Sequence, residues 1–285
     1  MEHVGYYNGT IGRLEDMQIP MLDRAVYFGD GCYDATTFAH RHIFAEKDHF
    51  DRFYNSLRLL RIPFDMSRET LHRELEKCID ANDSDHGMLY WQCSRGTGLR
   101  AHQFPPKGTK PNLMIFTVPM ELVPFTTTYR LRSEEDKRFY YCNIKTLNLI
   151  PSVLAYEDCV AAGCQETVFY RESFGRKRVT ECAHSNILMI RDGKLVSPPR
   201  DNLILPGITL KHLLMLAGEH GIPTEETPFT LEELEQADEV IVCSSAALCI
   251  RALELDGKPV GGKDPDTLKK LQDAYAAYYE ADTNR

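Results

Sequence analysis

Apolar side chains recur at Phe50, Phe53, Tyr54, Leu57 and Leu60, a stripe along one side of a 3.6-residue repeat. The spacing predicts a helix over 48–61, with Asp48 as its N-cap and Pro63 as its stop. Arg52 falls off the stripe and is free to point elsewhere. Leu71, Leu75 and Ile79 predict a second helix. Runs rich in β-branched and aromatic residues predict a strand and turn at 32–44 and strands at 88–95 and 112–118. Between the last two lies GTGLRAHQFPPKGTKP, too rich in Gly and Pro for regular structure. Residues 119–124 carry two prolines and read as a linker between domains.

Beyond that linker the pattern predicts a strand over 138–145 (RFYYCNIK) and a helix over 151–162, opened by Pro151 and closed by Gly163. Two hairpins follow. One joins 166–171 to 177–181, and the other turns at Asp192-Gly193. LPGIT opens a helix running to Glu219. Strands at 239–244 and 248–255, a turn at Asp256-Gly257 and an amphipathic helix over 264–281 complete the chain. Helices mixed with hairpin-joined strands point to an α+β or mixed α/β protein with mixed or antiparallel sheets. The domains expected are 1–118 and 125–285.

A chain of 285 residues, 43% hydrophobic and 26% charged, holds enough apolar material for a substantial core. Its formal charge of −9 gives it no general attraction for nucleic acid or an anionic membrane. Nine cysteines with no CxxC pair argue against a disulfide framework or a zinc ribbon. The N-terminal residues have no basic start or apolar stretch, and no run approaches the ~18 apolar residues of a membrane span. The expectation is a cytoplasmic protein.

Several residues carry chemistry. Lys145 ends an apolar and aromatic run, where desolvation favours a neutral amine and hence a nucleophile; an ammonium reaching water at a strand edge is the alternative. Gly207, Ile208 and Thr209 open a helix whose free N–H groups suit phosphate, although many helices begin this way. Ser244 and Ser245 end an aliphatic strand, where they could cradle an anion or simply satisfy a turn. Glu181 ends a strand, either as a solvated charge or as the partner of a pyridine nitrogen. Arg100 and His102, in the Gly/Pro loop, can hold a carboxylate or lie on the surface. His40 and His42, with His49, have a spacing possible for a metal, but no carboxylate or Cys pattern supports one, and no metal is expected.

In this order, FGDGCY (28–33), HFDRFYNSLRLL, IKTLNLIPSVLA, GCQETVFY with VTECAHSNIL, and ILPGIT resemble the class IV (fold-type IV) pyridoxal-phosphate enzymes, from about residue 5 to residue 275. The resemblance implies a two-domain fold with pyridoxal 5′-phosphate between the domains. Lys145 would be the Schiff-base and proton-transferring lysine, and Glu181 would face the ring nitrogen. Leu205 would pack on the ring. Arg52, Gly207, Ile208, Thr209, Ser244 and Ser245 would bind the phosphate. RGTGLRAHQFP (95–105) resembles the carboxylate loop of the D-amino-acid aminotransferases. That implies a homodimer in which Arg100 and His102 cross the interface and, with Tyr33, trap the substrate carboxylate. The activity implied is ping-pong transfer of an amino group from a D-amino acid, D-alanine-like, to a 2-oxo acid such as 2-oxoglutarate. An aminodeoxychorismate lyase-like enzyme, a branched-chain aminotransferase and a non-catalytic cofactor-binding protein are the rival readings. Ala183 and His184 stand where the resembled enzymes favour serines.

Overall fold

The structure, a computed structural model, describes residues 1–284. The chain forms two compact units. The first takes Met1–Glu121, Ile144–Asn148 and 280–284; the second takes Leu122–Asn143 and Leu149–Tyr279. A single linear cut at 119–124 does not describe this, because two later segments return to the first unit.

In the first unit, six strands among the described residues form an antiparallel sheet. Their order is Thr10–Arg13, Val4–Tyr7, Asn112–Val118, Gly87–Ser94, Gly31–Ala39 and His42–Ile43. Alternation along Gly87–Ser94 turns Leu89, Trp91 and Cys93 into one buried core. Phe50, Phe53 and Leu57, the predicted stripe, fill that core from helix Glu46–Leu59. Phe50 and Phe53 each meet the Trp91 ring edge-on at 6.0 Å. Burying each such side chain contributes about 1.5–3 kcal/mol. The helix begins two residues earlier than its sequence suggests. Its N-cap is Ala45, in the left-handed region, whose N–H donates to Asp282. Asp48 is not the cap. It lies in the first turn with Glu46, where negative charge suits the helix dipole. The second helix, Arg68–Ala81, is capped by the Ser67 hydroxyl and buries Leu71, Leu75 and Ile79.

In the second unit, a mixed sheet holds nine strands among the described residues. Both hairpins form where the turn residues place them, through Phe174-Gly175 and Asp192-Gly193. Two parallel pairings join Thr128–Glu135 to Ile250–Leu255 and to Glu166–Ser173. A parallel pair needs a crossover of a dozen or more residues. The crossover from Thr128–Glu135 to Glu166–Ser173 carries helix Ile150–Ala161, with Pro151 in its first turn and Gly163 at φ 70 just past its end.

Lys145 lies in that crossover and not in a strand. The expected strand over 138–145 does not form. The run looked apolar, yet Phe139, Tyr140 and Tyr141 are exposed, while the Arg138 side chain, only 14% exposed, is turned onto carboxylates and Ile144 is buried at the far end. The strand that does form, Thr128–Glu135, reads TYRLRSEE and buries only Leu131 fully, so its period is nearly silent in sequence.

Candidate active site

In the first unit, strand Gly31–Ala39 is the organising element. Its Tyr33 N–H donates to the Lys145 carbonyl at 2.9 Å, and Cys32 forms a bridge with Thr146. This backbone pairing sets Lys145 beside the strand. Lys145 is half-buried, and its Nζ lies 4.5 Å from the centre of the Tyr33 ring. Tyr33 itself stacks on Tyr90, which stacks on Phe116. A ring wedged in such a column holds its orientation without a hydrogen bond.

One residue along, Asp34 is fully buried on the opposite face of the strand. Its Oδ2 accepts from Arg52 Nε at 2.8 Å and its Oδ1 from Arg52 Nη2 at 2.6 Å. His49 Nδ1 lies 2.8 Å from the same Oδ1. Arg52 is therefore not free, as its place off the helix stripe suggested: it is buried and its guanidinium plane is set by a carboxylate. Burial pushes the Asp34 carboxyl up, but the Arg52 charge, its hydrogen bonds and His49 outweigh burial and hold it well below the usual carboxylate range. Burial pushes the His49 imidazole down, against the pull of Asp34.

Arg100 and His102 are exposed on the loop, and both lie against Phe28. The Arg100 guanidinium is 5.0 Å from the Phe28 ring centre, and the His102 ring is 5.2 Å away. The loop is held by Arg24, which donates to the Ala101 carbonyl, and by Phe104, whose ring covers the Arg95 guanidinium at 4.0 Å. Arg24 and Arg95 in turn share Asp30. His102, Phe28 and Asp30 line a cavity of about 290 Å³ together with Thr146 and Asn148, the residues just after Lys145.

In the second unit, Glu181 ends strand Arg176–Cys182 and is buried. Its Oε2 accepts from Asn186 Nδ2 and from the Leu205 N–H, both at 3.0 Å, and its Oε1 accepts from Arg138 Nη1. Burial pushes the Glu181 carboxyl up; the Arg138 charge and hydrogen bond and the Leu205 N–H offset this only in part. Asn186 Nδ2 also donates to the Leu205 carbonyl. This ties the Glu181 strand end to LPGIT.

Gly207 is the N-cap of helix Ile208–Glu219, which has no side-chain cap and no acidic residue in its first turn. The N–H groups of that turn are thus presented without a competing carboxylate of the helix. Ile208 and Thr209 are buried, and the Thr209 side chain hydrogen-bonds the Tyr275 hydroxyl. A Cβ on Gly207 would stand 1.9 Å from Asn186 Oδ1. Asn186 cannot give way without releasing Glu181 and Leu205. Gly207→Ala is therefore expected to destabilise the protein by about 1–3 kcal/mol, the usual range for overpacking. Chemical denaturation checks this, and an unchanged midpoint would show that Asn186 is not held as described.

Ser244 and Ser245 follow strand Glu239–Cys243. The Ser244 hydroxyl accepts from the Ala247 N–H at 3.2 Å, while its own N–H donates to the Ala247 carbonyl, so Ser244 at least satisfies a turn. Ala183 is buried, its N–H on Glu166, and His184 Nδ1 lies 3.0 Å from the other oxygen of that fully buried carboxylate. Asp34, His49, Arg138 and Asn186 were not read as site residues. Only Asn186 had a local signal, five residues beyond a strand-ending Glu in the resembled segment. Among the described residues no three His, Cys, Asp or Glu side chains are disposed to hold a metal ion.

The family model of amino-transferase class IV matches residues 31–255. The chain belongs to the class IV aminotransferases. It is 32% identical over 281 residues to a D-alanine aminotransferase of Staphylococcus epidermidis, covering 97% of this chain and 98% of that one. Among solved structures, the branched-chain amino acid aminotransferase of Escherichia coli superimposes with a TM-score of 0.86 at 22% identity, covering 99% of this chain and 96% of that one. A putative 4-amino-4-deoxychorismate lyase of Legionella pneumophila gives 0.83 at 24%, covering 92% and 96%. These two likenesses speak for the fold alone: a two-domain α+β fold of type IV. As a class IV aminotransferase the protein is a pyridoxal-phosphate-dependent enzyme acting on amino acids and 2-oxo acids. Each unit holds donor types that suit that cofactor: a half-buried primary amine in the first, and in the second a buried carboxylate and a helix start with no side-chain cap. No helix among the described residues is long and apolar enough to cross a membrane.

Proposed function

We propose that this aminotransferase moves the amino group of a D-amino acid, D-alanine-like, to a 2-oxo acid such as 2-oxoglutarate. The observation that carries the reading is the loop holding Arg100 and His102. It places a guanidinium and an imidazole each against the Phe28 ring, at 5.0 and 5.2 Å from its centre, both exposed. Such a pair binds a carboxylate with fixed orientation. The likeness to D-alanine aminotransferases along almost the whole chain supports it.

Bound pyridoxal phosphate supplies an aldehyde for the amine and an electron sink for the carbanion. The chain's residues do the rest. Lys145 Nζ offers the amine and moves the proton from the substrate α-carbon. Glu181 keeps a proton on the ring nitrogen. Arg52, Gly207, Ile208, Thr209 and the two serines Ser244 and Ser245 hold the phosphate, and Leu205 covers the ring. Tyr33, Arg100 and His102 hold the α-carboxylate and thereby select the enantiomer.

A panel of D- and L-amino acids with 2-oxoglutarate, read by product chirality, tests the reading. D-alanine should yield pyruvate; turnover confined to L-valine or L-leucine would reassign the substrate. Arg100→Ala should raise KM for the amino acid about tenfold or more, with cofactor affinity unchanged, since a charged hydrogen bond contributes roughly 1.5–3 kcal/mol. Equal loss of both would reject the carboxylate role.

The same reading makes the enzyme a homodimer in which Arg100 and His102 serve the partner's site. Lys145→Ala and Arg100→Ala chains, each inactive or impaired alone, should then complement when mixed. Each mixed dimer carries one intact site, so an equal mixture should recover roughly a quarter of the wild-type activity. No recovery on mixing would place the loop in its own chain's site.

A further inference from the structure

The carboxylate of Glu181 is occupied on both oxygens before any cofactor is considered, and one of its partners is a fixed cation. Arg138 Nη1 donates to Glu181 Oε1. The rest of that guanidinium is spoken for. Nε donates to Asp136 Oδ1 at 3.0 Å, Nη2 to Asp136 Oδ2 at 2.9 Å, and Nη2 also reaches the Leu203 carbonyl at 3.4 Å. The Phe169 ring lies under the guanidinium carbon at 4.8 Å. Arg138 therefore has no rotamer that keeps these bonds and leaves Glu181.

Asp136 is itself built in. Its side chain is 0% exposed, and it accepts from the Arg138 backbone N–H, from Arg171 Nε at 3.2 Å and from the Thr180 hydroxyl at 3.2 Å. Arg171 closes the set by donating Nη2 to the Arg138 carbonyl at 2.7 Å. The cluster holds two carboxylates and two guanidiniums, balanced in charge, and it is assembled from the crossover segment, strand Glu166–Ser173 and strand Arg176–Cys182. An unbalanced carboxylate in such a place would take up a proton rather than stay charged. A guanidinium never gives up its own.

We propose that Arg138 is a positioning residue that keeps Glu181 anionic and aimed, with Asp136 and Arg171 holding Arg138 in place. The proposal rests on the reading of Glu181 as the partner of the cofactor's ring nitrogen. It adds that this partnership depends on a cation on the far side of the carboxylate. Removing the cation leaves a buried carboxylate held only by Asn186 and the Leu205 N–H. Other titratable groups that face Glu181 do not replace it. Asp136 carries the wrong charge, and burial pushes the thiols of Cys182 and Cys142 upward, so both stay neutral near pH 7. Glu181 then takes a proton as the pH falls, and the ring nitrogen loses its anionic partner.

The test measures pyridoxal phosphate affinity of the apoprotein against pH for the wild type, Arg138→Met, Arg138→Lys, Glu181→Gln and the Arg138→Met/Glu181→Gln pair. Wild-type affinity should be flat with respect to Glu181 between pH 6 and pH 8. Arg138→Met should bind about tenfold or more weakly at the acid end and recover toward the alkaline end. Arg138→Lys should restore most of the flat profile by restoring the charge. In the Glu181→Gln background, Arg138→Met should add little, because the group it acts through is gone. A pH profile for Arg138→Met parallel to that of the wild type, or the same loss in both backgrounds, would overturn the proposal and reduce Arg138 to a packing role. If Arg138→Met does not fold, the Arg138→Lys profile decides: flat for the proposal, acid-sensitive against it. Wild-type protein that takes up no pyridoxal phosphate at any pH would instead sink the reading of the site beneath it.

Discussion

Lys145→Ala is expected to leave a folded protein that no longer transaminates and that borohydride can no longer fix to its cofactor. The argument starts from position. The Lys145 backbone is pinned to strand Gly31–Ala39 through its carbonyl, and the neighbouring Thr146 pairs with Cys32. Loss of the side chain beyond Cβ leaves these bonds intact, so stability should change little. The side chain is half-buried over the Tyr33 ring, a cation–π contact whose loss removes about 0.5–1 kcal/mol at most. Chemistry should suffer far more. On the proposed function the amine has two tasks, attachment to the cofactor and transfer of the α-proton. The proton transfer alone is worth on the order of 10²–10⁴-fold in rate. The measurement is kcat for the amino-acid half-reaction, alongside mass analysis after borohydride treatment. A variant that retains more than a tenth of wild-type kcat, or that still acquires the reduced cofactor mass, would remove Lys145 from the mechanism. External amines of small size should restore part of the rate if proton transfer is the task lost.

The second large effect is expected at Asp34, and it is one of stability. Asp34→Ala removes the carboxylate that accepts two hydrogen bonds from Arg52 and sits beside His49, all three side chains being buried. Breaking a buried ion pair by deleting one partner costs about 3–5 kcal/mol. Whole domains are stable by only about 5–15 kcal/mol. The variant should therefore melt far below the wild type and bind cofactor phosphate weakly if Arg52 is its anchor. Asp34→Asn keeps the shape and part of the hydrogen bonding, and should lie between. The pH dependence has a definite sign. The Asp34 carboxyl is held below its unfolded value, so its contribution is complete above about pH 4 and is lost as the pH falls further. The His49 imidazole is also lowered, so its contribution is present above about pH 6.5 and declines as the pH falls through that value. Asp34→Asn should remove the first of these slopes from the acid unfolding profile. An Asp34→Asn protein whose acid profile superimposes on that of the wild type would show that the pair contributes nothing to folding.

Much of the fold was legible because it is written locally. The Phe50, Phe53, Leu57 stripe, the Asp192-Gly193 turn, the Pro151 start and the Gly207 helix opening each depend on residues within a turn or two of one another. The strand Thr128–Glu135 was not legible, because it buries a single side chain fully and otherwise shows polar residues on both faces. The apolar run at 139–141 misled for the converse reason. Its aromatic side chains lie outside, and the charged Arg138 is the one turned inward, onto Asp136 and Glu181.

The site divides in the same way. Residue types and their order along the chain, with the resemblance they carry, were enough to single out Lys145, Glu181, Arg52, Gly207 and Thr209 as a set. Neighbours in sequence determined the helix start and the strand end on which Thr209 and Glu181 stand. Their charge states were decided by partners brought from far along the chain. Asp34 reaches Arg52 from 18 residues away, and Arg138 reaches Glu181 from 43. A buried charge survives only beside its opposite, and which opposite lies beside it is a property of the packed chain, not of any window along it.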